Sequence, residues 1–145
     1  MNKFMRKLWA KKESKNGFTL VELIVVLVIL AILAAIMIPT MIGWIDKARD
    51  KQVLIEGRTV YLAAQTLTSE EYGKSAPDLG TNVTDGEIRK LSGITGGNFK
   101  VTIDKAKFEV DEVAFTKGGF TATFSGGTWT VAEADTIKKD EVALK

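Results

Sequence analysis

Glu22 is the one ionisable residue between Phe18 and Ile45, a stretch of 28 residues in which Leu23 to Ile38 carries no polar side chain at all. A carboxylate held in lipid costs about 2.5–3.5 kcal/mol or more. It therefore needs a partner, and the segment around it offers no cation. The chemistry available to Glu22 is ion pairing with a group brought from elsewhere. Other candidates for chemistry are few. The chain has no histidine, which removes His-based triads, the usual zinc sites and imidazole general bases. It has no cysteine either, so packing rather than disulfides must stabilise it.

The acidic pairs Glu70-Glu71 and Asp111-Glu112 read as solvated surface and lack the spaced oxygen ligands of a calcium loop. Gly96-Gly97 and Gly118-Gly119 read as turns rather than phosphate cradles. Lys100, Lys105, Lys107 and Lys117 alternate with acidic residues, so no nucleic-acid surface is expected of this chain. No enzymatic constellation, cofactor or metal site emerges.

The elements that must position Glu22 begin with a basic leader. Residues 1–17 carry Lys3, Arg6, Lys7, Lys11, Lys12 and Lys15 against Glu13 alone, +5 in all, within a chain of formal net charge +2. The remainder is thus mildly acidic at −3, and the basic balance of the full chain is no sign of nucleic-acid binding. Short basic segments beside an apolar helix stay cytoplasmic, which directs the C-terminal part outward. At about 1.5 Å per residue, the 28 residues Phe18 to Ile45 exceed a bilayer core of about 30 Å. An ordinary secretory signal, cut near Ala34-Ala35, would end its apolar run there, but here it continues through Ile36, Met37, Ile38, Met41 and Ile42. An uncleaved signal anchor would explain the helix but not the glutamate.

The sequence Lys15-Asn16-Gly17-Phe18-Thr19-Leu20-Val21-Glu22-Leu23, the basic leader before it, the apolar run after it and Pro39 near the end of that run resemble the type III signal of type IV pilins and their relatives. The resemblance covers residues 1 to about 45. It implies that a prepilin peptidase cuts after Gly17 and that Phe18 becomes the N-methylated amino terminus. It further implies that Glu22 pairs with the amino terminus of a neighbouring subunit during assembly, and that the stretch around Pro39 and Gly43 unwinds when subunits pack. Without cysteine, the chain departs from the many Gram-negative pilins that close a C-terminal loop with a disulfide.

Beyond the resemblance, periodicity describes the rest. Proline and glycine at 39 and 43 make a weak point in the helix, and Trp44 suits a membrane interface. From Asp46 charges of both signs appear while Val53, Gly57, Val60, Ala64 and Leu67 recur on one face, with Leu54 and Tyr61 at its edge. That helix is expected to end before Gly73 and Pro77, with a loop over 73–83. Thr84 and Glu87 form a capping-box pattern opening a short helix that stops near Gly93. The Asn82-Val83-Thr84 sequon is discounted. Period-two alternation then gives strands around Phe99-Val101-Ile103, Phe108-Val110 with an offset to Val113-Phe115, Phe120-Ala122-Phe124 and Trp129-Val131. Ser125-Gly126-Gly127-Thr128 is a hairpin turn, and Thr121, Thr123, Thr128 and Thr130 make a solvent face.

The expected class is α+β: a long N-terminal helix, membrane-spanning and then amphipathic, packed on a small antiparallel sheet. The expected organisation is a cleaved leader 1–17, a transmembrane and filament-core helix 18–45, an amphipathic half 46–72 and a globular head 73–145. The resemblance implies a structural subunit that is a single-pass protein of the cytoplasmic membrane, C-terminus outside, and then part of an extracellular pilus serving adhesion, twitching motility or DNA uptake. Its partners would be other copies of itself in a helical homopolymer, prepilin peptidase, and the assembly platform with its ATPase. Alternatives are a major pseudopilin of a type II secretion system and a membrane-anchored monomeric surface domain.

Overall fold

The computed structural model describes residues 17–145. Of the expected leader, only Gly17 falls within them. Two compact units are present, the first ending at Met41 and the second running over Ile42–Lys145. Helix α1, Leu20–Tyr72, contributes to both and includes Pro39 and Gly43. In the first unit the apolar side chains of α1 are exposed throughout, from Leu20 at 72% to Ile36 at 68%. This α1 segment is long and apolar enough to cross a membrane.

In the second unit the face of α1 that becomes buried is made of Val53, Gly57, Val60, Ala63, Ala64, Thr68 and Glu71. Three of these are Gly or Ala, and the small residues let a sheet approach closely. A Cβ at Gly57 would stand 3.1 Å from Trp129 and 3.4 Å from the Ala122 Cβ, so there is no room for a larger residue. After α1 come a single turn, α2 (Leu79–Asn82), capped by Asp78, and α3 (Asp85–Ser92). The expected loop over 73–83 therefore contains a turn of helix, set by the Asp78 carboxylate accepting from the Gly80 and Thr81 N–H groups at 3.1 Å. As its sequence predicts, α3 is capped by Thr84, whose hydroxyl accepts from the Glu87 N–H at 3.3 Å, and stops at Gly93 in the left-handed conformation.

The sheet comprises β1 (Asn98–Asp104), β2 (Glu109–Lys117), β3 (Phe120–Ser125), β4 (Thr128–Glu133) and β5 (Glu141–Leu144), in the order β4-β3-β2-β1-β5. Phe99 faces Phe115, Val101 faces Val113, and Ala122 stands between Phe115 and Val131, so one apolar face runs across four antiparallel strands. The offset between Val110 and Val113 is a bulge. Thr102 pairs with Glu112 and Ile103 with Val110, which leaves Asp111 as the extra residue and returns both valines to the core face.

Two features depart from expectation. The sheet has a fifth strand, β5, parallel to β1, added by a C-terminal segment whose polar composition gave no strand pattern. Residues 134–140 reach it by hydrogen bonds from the Thr121 hydroxyl to the Ala134 carbonyl (2.5 Å) and from the Asn98 amide to the Ile137 carbonyl (3.1 Å). Thr121 is consequently buried together with Thr116, their hydroxyls 2.6 Å apart, whereas Thr128 and Thr130 stay exposed as expected. The segment is clasped at Asp140, whose carboxylate takes both Arg89 Nε (2.6 Å) and Nη2 (2.7 Å) and the Phe99 N–H (3.1 Å). Arg89 also lies 5.5 Å over the Phe99 ring.

The second departure is Glu71. Its neighbour Glu70 is exposed as expected, but Glu71 is 2% exposed and is held by Lys74 Nζ, by the Asp78 N–H at 3.1 Å and by Asn82 Nδ2 at 3.1 Å. It ties the end of α1 to α2. The Lys74 hydrogen bond, opposed by burial and helped by Asp78 and Asn82, keeps this carboxyl below its ordinary range.

Two outcomes follow. A carboxyl depressed on folding contributes stability that is complete above its unfolded value of about 4.3 and fades as pH falls through the lower folded value. Glu71→Gln should therefore lower the thermal midpoint at pH 7 and show a smaller gap to the parent at pH 3, measured by circular dichroism. Asp140→Ala removes three hydrogen bonds, one of them to backbone, and should cost about 1–3 kcal/mol in urea unfolding, with the amides of β5 losing exchange protection first.

Candidate assembly site

The chemistry-bearing end of the first unit is the start of α1. Gly17 and Phe18 precede the helix and are exposed, Phe18 at 83%, so the peptide between them lies in backbone outside any regular element. Helix α1 opens at Leu20 with Glu22 in its first turn. The reason is a capping box. The Thr19 hydroxyl accepts from the Glu22 N–H at 3.2 Å, and Glu22 Oε2 accepts from both the Thr19 N–H and the Thr19 hydroxyl at 2.8 Å. The Leu23 N–H closes the turn on the Thr19 carbonyl at 3.2 Å.

The expectation that Glu22 has no partner in its own segment is therefore corrected. Among the described residues no cation pairs with it, but two hydrogen bonds from Thr19 satisfy one of its oxygens, and the positive end of the helix dipole favours a carboxylate in that first turn. Thr19 is the site residue that charge reasoning missed. The signal was present as Thr-x-x-Glu ahead of an apolar run, the same spacing that identifies Thr84 and Glu87. The Phe18 nitrogen is one residue before the Thr19 N–H that already touches Glu22. The site thus brings together Gly17, Phe18, Thr19 and Glu22.

Pro39 stands apart from this end, about 26 Å further along a regular helix, and Gly43 belongs to the second unit. Pro39 lacks the N–H that would bond back along the helix, and the Thr40 hydroxyl donates to the Met37 carbonyl at 2.8 Å beside it. Nothing within 4 Å would meet a Cβ at Gly43, so its absence of side chain serves no local packing.

Compared with known proteins, residues 13–38 match the model of the prokaryotic N-terminal methylation motif. No curated protein and no solved structure matches the chain. The match spans the Gly17-Phe18 junction, Thr19, Glu22 and most of the apolar run. With this motif at the start of a long apolar helix, on an α+β fold laid out as in pilins, the chain carries the signal of a type IV pilin-like prepilin, of the pilin or pseudopilin type.

Proposed function

We propose that this chain is the structural subunit of a type IV pilus. Prepilin peptidase removes residues 1–17, Phe18 is N-methylated, and the mature chains polymerise into a surface filament that serves adhesion, twitching motility or DNA uptake. The observation that carries this reading is the carboxylate of Glu22, which among the described residues is bonded by Thr19 on Oε2 alone, at the head of an exposed apolar helix face.

Cleavage after Gly17 strips most of the cytoplasmic positive charge and creates an α-amine at Phe18. The Thr19 cap lowers the cost of holding Glu22 in lipid while the subunit waits as a single-pass membrane monomer, C-terminus outside. The amine of an incoming copy then supplies the counter-ion. In a low-dielectric surround neither charge is well satisfied alone, so assembly is favoured over separation. Residues 18–45 form the filament core, 46–72 the amphipathic continuation and 73–145 the head. Pro39 and Gly43 are where the helix gives way on packing, since a proline has no N–H to lose and a glycine holds the helical conformation weakly. Successive head-to-tail contacts that do not close build a helical polymer. The peptidase, the assembly platform and its ATPase are separate proteins, and the subunit itself performs no catalysis.

The test has two arms. Mass spectrometry of the native chain should find N-methylated Phe18 at its amino terminus, with Gly17→Leu leaving full-length precursor in the membrane; a mature terminus at Met1 overturns the reading. Glu22→Ala should reduce sheared surface filaments by about tenfold or more while leaving the chain membrane-bound, and Thr19→Val should reduce them less. Undiminished filaments from Glu22→Ala would remove the ion pair from the mechanism. A pseudopilin would share the signal but leave the chain out of sheared surface filaments.

A further inference from the structure

The two edges of the sheet differ in how they are finished. On one side β5 covers β1, is four residues long, opens with Glu141 and is flanked by Lys139, Asp140 and Lys145. The other edge, β4, is Thr128-Trp129-Thr130-Val131-Ala132-Glu133. It has six residues rich in β-branched and aromatic side chains, with no lysine, no proline and no bulge, which are the devices that ordinarily blunt an edge.

The groups that β4 presents outward can be read from its hairpin. Gly126 and Gly127 have φ of 56° and 81°, as a two-residue type I′ turn requires, and Ser125 pairs with Thr128. The pair flanking such a turn is hydrogen-bonded, so Thr128, Thr130 and Ala132 bond inward to β3. The N–H and C=O groups of Trp129, Val131 and Glu133 point away from the sheet. Among the described residues no backbone group pairs with them. Trp129 and Val131 are half-buried, Trp129 against Phe124 (5.3 Å) and Tyr61 (6.4 Å), so the core reaches this edge without being closed there.

We infer that the β4 edge is a self-complementary docking strand, and that its occupant is β4 of a second copy of this chain, paired antiparallel about a two-fold axis at Val131. Outward-facing residues must oppose one another, so Val131 faces Val131 and Trp129 faces Glu133. That register joins every outward backbone group of the strand in hydrogen bonds. It also sets the single charge of the strand, Glu133, against an aromatic ring instead of another carboxylate. The half-exposed Trp129 and Val131 of each copy then cover those of the other. Outside residues 1–17 the chain carries only −3, so repulsion between copies is weak. The contact is isologous and closes on itself, so it joins heads in pairs and does not build a polymer. It depends on the head alone, whatever the amino terminus does.

The cysteine-free chain permits a direct test. Val131→Cys in the detergent-solubilised full chain should form a covalent dimer under mild oxidation, because residues opposed across a hydrogen-bonded pair have Cα atoms about 5.5 Å apart, within disulfide reach. Ala132→Cys, which opposes Thr130 and projects to the other face, should cross-link about tenfold less. Mixing Trp129→Cys with Glu133→Cys should give the heterodimer in preference to either homodimer. Val131→Pro removes one outward N–H and should abolish pairing of the otherwise parental chain, seen as a loss of dimer while circular dichroism shows the head still folded. Equal cross-linking of Val131→Cys and Ala132→Cys, or none from either, overturns the proposal. So does preferential cross-linking of Val131→Cys in cells to an unrelated protein, which would make this edge a strand-addition site for another partner. Filament yield is read separately, so failure here and failure of the pilus reading give different results.

Discussion

A carboxylate at the head of a long apolar helix must be satisfied before that helix can sit in lipid, and Thr19 does half of this. Two hydrogen bonds reach one oxygen of Glu22 from the residue immediately before the helix, and the dipole of the helix adds to them. This arrangement makes the first turn both stable and unfinished. Burial without any partner would favour the protonated acid or expulsion from the membrane. Full neutralisation within the chain would remove the counter-ion role proposed above for a second copy. On that proposal the exposed apolar surface of the first unit would supply the non-specific attraction between helices, and the charge would set their register.

The second unit, Ile42–Lys145, solves a different problem, holding together without a disulfide. Its helix face is lined by glycine and alanines, so the sheet packs close to the backbone of α1, and the aromatic residues of β1 to β4 fill the remaining volume. Around that core, two carboxylates do what a covalent link might have done. Glu71 gathers Lys74, Asp78 and Asn82 at the end of α1. Asp140 gathers Arg89 and the backbone of Phe99, fixing the segment that leads to β5. Lys117 adds a third tie, its ammonium 2.8 Å from both oxygens of Glu56 on the helix. Each is a charged group bonded by several donors or acceptors at once, which is the condition under which a partly buried ion pair holds a structure in place.

Much of this was legible beforehand. Period and punctuation were enough for the extent of α1, for α3 with both its caps, for four strands and for the hairpin at Gly126-Gly127, because each is decided by neighbours within a few residues. The offset at Val110 to Val113 was visible as a fault in the alternation, although its nature as a bulge needed the partner strand. Glu71 could not be told from Glu70 by sequence, since burial depends on what α2 brings across. The cap at Thr19 is legible as Thr-x-x-Glu, a signal carried by Glu22 as the third residue of a helix and not as a charge in lipid.

Composition and local spacing alone determined that the chain has a cluster of basic residues before Phe18, a span-length apolar helix with one acid in its first turn, and an alternating β region, since charge, hydrophobic period and capping are properties of short segments. Only the tertiary structure decided that the polar C-terminal segment becomes a parallel strand, that Thr121 and Glu71 are buried, and that Asp140 closes on Arg89. Those outcomes rest on groups far apart in the chain, and no local preference can encode which distant donor will meet a given carboxylate.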